Sequence, residues 1–208
     1  MVQLHSQALP PIRVIIPTLG RASLLTTYNQ LLAQLGPKDG AIVIGDGIVP
    51  PLPPDSRVWI GFTSQTKNSG NSQRDAALNF VRGVVVFLDD DDTLLPGALD
   101  AVRAAHTALP GMAHLFRIRS TTGEYLPLDN SLKLGTVGGP CLTVRNDNGS
   151  LPRWADSHDA YTADYRYIKA WTALVPAVWH PEVIQEFSTH RGCIDESTRL
   201  YTLRIPSV

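Results

Sequence analysis

The chain is poor in cysteine, in methionine and in charge. Two cysteines, Cys141 and Cys193, stand far apart among 208 residues. No Cys-x-x-Cys pair occurs, which excludes a zinc knuckle or a dithiol redox motif; two reduced thiols are the expectation. Charged residues make up only 18% and hydrophobic ones 43%, so a sizeable core can form and the composition is not that of a disordered chain. Basic and acidic residues number 18 and 19, a net charge of −1. The basic field of a general nucleic-acid binder is therefore missing. No apolar run reaches the ~20 residues needed to cross a bilayer, and "MVQLHSQALPP" lacks the basic-then-apolar order of a signal peptide. A cytoplasmic chain without a transmembrane segment is expected. Asn148-Gly149-Ser150 fits a glycosylation sequon and reads most simply as a turn.

What is present is an alternation of strand and helix. "RVIIP" (13–17) is a β-branched run stopped by Pro17. In "SLLTTYNQLLAQLG" the residues Leu24, Leu25, Tyr28, Leu31, Leu32 and Leu35 fall on one helical face, with Ser23 as a cap and Gly36 as the stop. "AIVIG" (41–45) and "RVWIGF" (57–62) read as further strands. "NSGNSQRDAALNFVRG" reads as loop then helix, ended by Gly83, and "VVVFL" (84–88) as the fourth strand. "PGALDAVRAAHTALPG" is a helix entered through Pro96. Strands alternating with helices imply a mostly parallel central sheet covered on both faces. After residue 112 the segments shorten: "AHLFRIRS", "EYLPL" and "GTVGGPCLTVR" read as strands of a smaller mixed section, "DAYTADYRYIKAW" as a helix and "EVIQEFST" as a late strand. The expectation is one α/β domain over 1–208, with a parallel half at about 11–111 and a more irregular half at about 112–208.

The densest charge in the chain follows the fourth strand: Asp89-Asp90-Asp91-Asp92. Parallel sheets bind ligands outside the carboxyl ends of their strands, and Asp46 stands at another such end. Carboxylates crowded together repel one another and resist ionisation. A hard divalent cation removes that repulsion and prefers oxygen ligands, and a cation there would grip a phosphate. The plain alternative is a solvated acidic turn, with Asp92 or Thr93 capping the next helix.

Two families carry such a signature. Asp89-Asp90-Asp91-Asp92-Thr93-Leu94 satisfies the D-x-D-x-T motif of haloacid dehalogenase-type phosphatases, which would make Asp89 a nucleophile and Asp91 an acid/base. That match covers six residues, and 88 residues precede it where the family's motif opens the domain. The wider resemblance is to GT-A glycosyltransferases, family 2 in particular. "RVIIPTLGRASLL" resembles its first strand, Pro-Thr turn and basic residue. "AIVIGDG" resembles its second strand and Asp turn, and "NSGNSQRDAALNFVRGVVVFLDDDDTLLPGALD" its central signature. "TADYRYIKAW" is similar to its Glu-Asp helix start, and "EFSTHRG" to a terminal strand leading to a histidine. Asp75 stands where Asn is usual and Ala163 where the first acid of the pair often sits.

The resemblance implies a GT-A (nucleotide-diphospho-sugar transferase) fold and a metal-dependent, inverting transfer from a nucleotide sugar, a UDP-sugar, to a hydroxyl of a saccharide or lipid-linked saccharide. Residues 11–111 would form the nucleotide-binding half and 112–208 the acceptor-binding half. Pro17, Thr18, Arg21 and Asp46 would line the nucleotide pocket. Asp89 would meet ribose or base, with Asp90 beside it, and Arg74 the base or diphosphate, unless it is a plain surface charge. Asp91 and His190 would bind Mn²⁺ or Mg²⁺, with His180 a weaker alternative to His190. Asp92 would bind the donor sugar or cap a helix. Asp164 would be the catalytic base, with Asp156 and Asp159 as rivals. Gly138-Gly139 would admit the donor sugar or form a turn, and Trp154, Trp171 and Trp179 belong to the core or to the sugar site. A catalytically inactive nucleotide- or carbohydrate-binding domain is the non-enzymatic reading.

Overall fold

A computed structural model describes residues 10–127, 129–147, 149, 152–154 and 160–188. His190, Asp156, Asp159 and Cys193 lie outside the described residues.

The apolar runs pair side by side. β1 (Ile12–Thr18), β2 (Gly40–Asp46), β3 (Val58–Thr63) and β4 (Gly83–Phe87) form the parallel part of the sheet, in the order β3-β2-β1-β4. β1 and β4 lie at the centre, so both their faces need cover. Val14, Ile16, Val84, Val86 and Leu88 point to one face and Ile15, Val85 and Phe87 to the other, all fully buried. That is why these runs show no polar alternation. Helices α1 (Ser23–Leu32) and α3 (Ala98–Ala108) cover the first face through Leu24, Leu31, Leu99 and Val102. Helices α2 (Asn71–Leu78) and α4 (Ala160–Leu174) cover the second through Ala77, Leu78, Tyr167 and Ile168.

The sheet then continues past β4 as β8 (Leu142–Asn146), β6 (Ala113–Ser120), β9 (Ala177–Phe187) and β5 (Thr93–Leu94), with β7 (Tyr125–Leu126) on β6. β8 is antiparallel to both β4 and β6, whereas β9 runs parallel to β6. The long ladders are parallel and the short ones antiparallel. The expected fold class, a mostly parallel α/β sheet with helices on both faces and a mixed second part, is what the chain adopts.

Several local expectations differ. Helix α1 stops at Leu32 rather than Gly36, and Ser23 begins it without a side-chain cap. Leu25 is 48% exposed, whereas Leu24, Tyr28, Leu31 and Leu35 are buried and Leu32 packs against the core in part. Helix α2 ends at Leu78, five residues before Gly83, which instead opens β4 at φ +109°. Pro96 does not enter α3; Gly97, at φ +78°, is the residue in front of it. Neither Asp92 nor Thr93 is a helix cap, since Thr93 and Leu94 pair with Glu186 and Gln185 of β9 as an edge strand. The segment 135–145 is strand only from Leu142, and Gly139–Cys141 is a tight helical turn. Cys141 is a buried free thiol whose pKa burial pushes up to about 12, so it is inert.

Candidate functional site

The four aspartates do not share one environment, and the difference follows from where β4 ends. Leu88 still donates its N–H to Ile15 of β1. Beyond it the chain turns, with the Asp92 N–H on the Asp89 carbonyl at 3.1 Å. The turn sends the side chains in different directions. Asp89 pairs with Arg74 of α2. Asp90 turns under β1 and accepts from the Thr18 hydroxyl at 2.6 Å and the Leu19 N–H at 3.3 Å. Arg21, on the loop between β1 and α1, bridges Asp90 at 3.1 Å and Asp91 at 2.8 Å. Asp92 turns away to the Ser188 N–H at the end of β9, at 3.3 Å. Thr27 of α1 ties the turn down by donating to the carbonyls of Asp90 and Asp92.

Two guanidinium groups thus meet three of the four carboxylates. Burial pushes the pKa of Asp91 up and its neighbours Asp90 and Asp89 push it further, while Arg21 pulls it down. Asp92 has no cation in contact among the described residues. Burial first, then the charges of Asp89 and Asp91, raise it to about 9, so it is protonated at neutral pH.

Arg74 is buried, not an exposed helix charge. Its guanidinium lies 4.8 Å from the ring centre of Trp154, which in turn stacks on Tyr167 and meets Phe87 edge-on. Asp75 holds that arrangement in place by accepting the Trp154 N–H at 2.7 Å. Trp154 and Trp171 are core residues, and Trp179 packs against the same cluster. Helix α2 can come this close because Gly70, at φ +81°, precedes it. A Cβ there would stand 2.7 Å from Pro17.

Asp46 ends β2 and accepts from the N–H groups of Thr66 and Lys67, the Thr66 hydroxyl and the Gln73 amide. Burial acts to raise its pKa, but these bonds outweigh it and hold the carboxyl below its ordinary value. It therefore stays ionised and ties the loop at 66–67 to the first turn of α2 through Gln73.

These side chains line one cleft of about 420 Å³ at the carboxyl ends of β1, β2 and β4. Pro17, Thr18, Arg21, Asp46, Arg74, Asp89, Asp90 and Asp91 all contribute to it. Sequence reading had not singled out Lys67, Ser69 or Gln73, which also line it. A signal was present: the polar stretch "TKNSGNSQRD" between two apolar segments, with Lys67 and Ser69 at positive φ marks a backbone shaped for a purpose other than packing.

Asp164 lies beside the cleft, not in its lining. It sits in the first half of α4, against the Gly138-Gly139 turn; a Cβ on Gly139 would be 3.2 Å from its Oδ1 and 2.4 Å from Trp154. Only glycine lets these three groups meet. Burial raises the Asp164 pKa, Arg74 and the Gly139 N–H lower it, and Asp89 raises it again. It is therefore electrically coupled to the cleft. His180 is elsewhere. It lies near the start of β9, bonded to His114 at 2.8 Å and stacked on Phe116. β9 and β4 run the same way through β6 and β8, so His180 is at the opposite end of the sheet from the aspartates and does not serve that site.

Among the described residues no three His, Cys, Asp or Glu side chains converge into a metal cage. No helix of the described residues is long and apolar enough to cross a membrane.

No known family profile matches the chain, and no curated protein matches it either. Solved structures do. Staphylococcus aureus TarS superposes with a TM-score of 0.64 at 16% identity, over 86% of this chain and 36% of TarS. The TarS 1-349 fragment with UDP gives 0.63 at 16% identity, over 86% of this chain and 60% of the fragment. The same fragment with UDP-GlcNAc gives 0.61 at 15% identity, over 88% and 59%. The chain thus spans between about a third and three-fifths of the structures it matches. At these identities the likeness establishes the fold: a GT-A glycosyltransferase fold.

Proposed function

We propose that the chain is a metal-dependent, inverting glycosyltransferase of the family 2 type, with a UDP-sugar as donor and a saccharide or lipid-linked saccharide as acceptor. One observation carries the reading. Seven residues expected in a nucleotide-diphosphate pocket, and Asp91, expected to hold its metal, line a single cleft, at the strand ends where open α/β sheets take ligands. The fold is shared with a protein whose structures hold UDP and UDP-GlcNAc.

In this reading Pro17, Thr18 and Asp46 flank the nucleoside, with Asp89 and Asp90 beside it, and Arg74 and Arg21 face the diphosphate. The donor set suits Mn²⁺ or Mg²⁺: hard oxygens, with Asp91 held by a guanidinium that stands where a positive charge is wanted. With no ready-made cage among the described residues, the ion would rest on Asp91 and take other oxygens from diphosphate and water, as Mg²⁺ commonly does. Bound there, it would neutralise the leaving diphosphate. His190, which lies outside the described residues, is the second ligand in this proposal. Asp164 would accept the proton of the acceptor hydroxyl as that oxygen attacks the anomeric carbon opposite the leaving group, which inverts configuration. Its raised pKa makes it a stronger base than an ordinary carboxylate. The 11–111 half would hold the donor and the remainder the acceptor, in the cytoplasm.

The phosphatase reading needs Asp89 as a free nucleophile at the start of its domain. Here Asp89 is paired with Arg74 and follows a fourth strand, so nothing favours it. A binding-only domain would bind UDP and release none. The test is a panel of nucleotide sugars with and without Mn²⁺, read as released nucleoside diphosphate. Release of UDP from one UDP-sugar, in the presence of Mn²⁺ only, is expected. UDP binding with no release from any donor and any saccharide acceptor would leave the binding-only reading.

A further inference from the structure

We propose that Arg21 is the resident counter-cation of the acidic turn and competes with a divalent cation for the Asp91 carboxylate. The inference rests on the metal-dependent reading above and deepens it. The two carboxylates that Arg21 bridges are held very differently. Asp90 is 5% accessible and keeps two neutral donors, the Thr18 hydroxyl and the Leu19 N–H, whatever Arg21 does. Asp91 is 20% accessible, and its Oδ2 is held at 2.8 Å by Arg21. Arg21 is itself 33% accessible, on a loop at the edge of the cleft. Asp91 is therefore the end of the bridge that lets go. A guanidinium and a metal ion both need the same carboxylate lone pairs and repel each other at contact distance. A partly exposed ion pair is weak enough to be displaced. On exchange Arg21 can stay on Asp90, still lining the cleft. The arrangement keeps the turn from repelling itself in the empty protein. It also sets a threshold: a cation alone is held weakly, and a cation with a diphosphate more firmly.

The probe is Mn²⁺ alone, without nucleotide, followed by the loss of the free Mn²⁺ paramagnetic resonance signal. Arg21→Gln, verified as folded by its thermal transition, is expected to bind about 5- to 10-fold more tightly than the wild type, the tenfold end matching ~1.4 kcal/mol. Arg21→Lys keeps a cation in place and stays weak. Unchanged or weaker binding by Arg21→Gln overturns the proposal, because it would make Arg21 an organiser of the turn. Should the variants not fold, the Arg21 side-chain N–H resonance of the wild type decides. A shift that saturates with Mg²⁺ supports competition; a fixed resonance at any Mg²⁺ level overturns it. If neither protein takes up Mn²⁺ the competition is refuted. UDP binding by the wild type in chelator then tells whether the nucleotide reading survives on its own.

Discussion

The two ends of the sheet handle titratable groups in opposite ways. At the carboxyl end of β4, four aspartates are crowded together and three stay in contact with arginines. At the other end, His106, His114 and His180 are crowded together, and the acid found beside them among the described residues is Glu182, 3.9 Å from His180. Hydrogen-bond logic fixes their protons. The Leu109 carbonyl can only accept, so His114 Nε2 carries a hydrogen and its Nδ1 accepts from His180 Nε2. His106 meets the Thr143 hydroxyl at 3.0 Å and is otherwise buried, its Nδ1 without a partner. Burial lowers the pKa of all three, and His106 falls to about 3, helped by His114, His180 and Arg145. One end keeps charge and arms it with counter-ions, which is what chemistry on an anionic ligand needs. The other end suppresses charge, which is what a core needs. A cluster of unusual titratable groups is therefore not by itself a site; what sets the aspartate end apart is that Asp89, Asp90 and Asp91 line a cleft.

The largest break in the comparison is expected from Asp164→Asn. It removes the proposed proton acceptor and leaves size and packing against Gly139 unchanged. With the donor sugar identified, turnover should fall about 100- to 1,000-fold, a typical loss for a general base, while UDP affinity changes little. Turnover within a few-fold of wild type, read as released UDP, would remove Asp164 from the chemistry and hand the role to another acid.

The histidine end is broken by acid. A histidine whose folded pKa lies below its unfolded value of ~6.5 binds its proton more readily when unfolded. Its contribution to stability is complete above pH 6.5 and is lost as pH falls toward the folded pKa. For His106 that window runs from about 6.5 down to about 3. Each such group costs at most ~1.4 kcal/mol per pH unit inside its window. His106→Leu should therefore flatten the fall in unfolding free energy between pH 6.5 and 4, measured by urea titration at each pH. Equal slopes in both proteins would mean that His106 is protonated in the fold.

Much of the cleft end was legible because its signals are local. The apolar runs with no alternation foretold buried parallel strands. Pro17, Thr18, Asp46 and the aspartate run each sit where a strand stops, and strand ends are where ligands go. The histidine end was not legible. His106 comes from α3, His114 from β6 and His180 from β9, with no common spacing, and only the β6–β9 pairing brings them together. The same holds for Thr93, which reads with Asp92 as a candidate helix cap and pairs as a strand with Leu94 because β9 lies beside them. Trp154 reached Arg74 through a backbone bond to Asp75, 79 positions away.

The smallest expected effect sharpens what holds the acidic turn in shape. Thr27 is buried, and its hydroxyl donates to the Asp92 carbonyl at 2.8 Å and more distantly to that of Asp90 at 3.3 Å. Valine has the same shape without the donor, so Thr27→Val leaves both carbonyls short of a partner at a cost of about 1 kcal/mol. For a chain of this size that is a fall in Tm of roughly 2–4 °C. The bond is neutral, so the loss should be the same at low and high salt, whereas the Arg21 bridge is ionic and weakens as salt screens it. A loss that appears only in low salt would mean that charge rather than the α1 hydroxyl shapes the turn. Equal loss in both would mean that the aspartates are positioned by uncharged bonds first and that the arginines only balance them, which is the condition under which Arg21 can leave Asp91 without the turn collapsing.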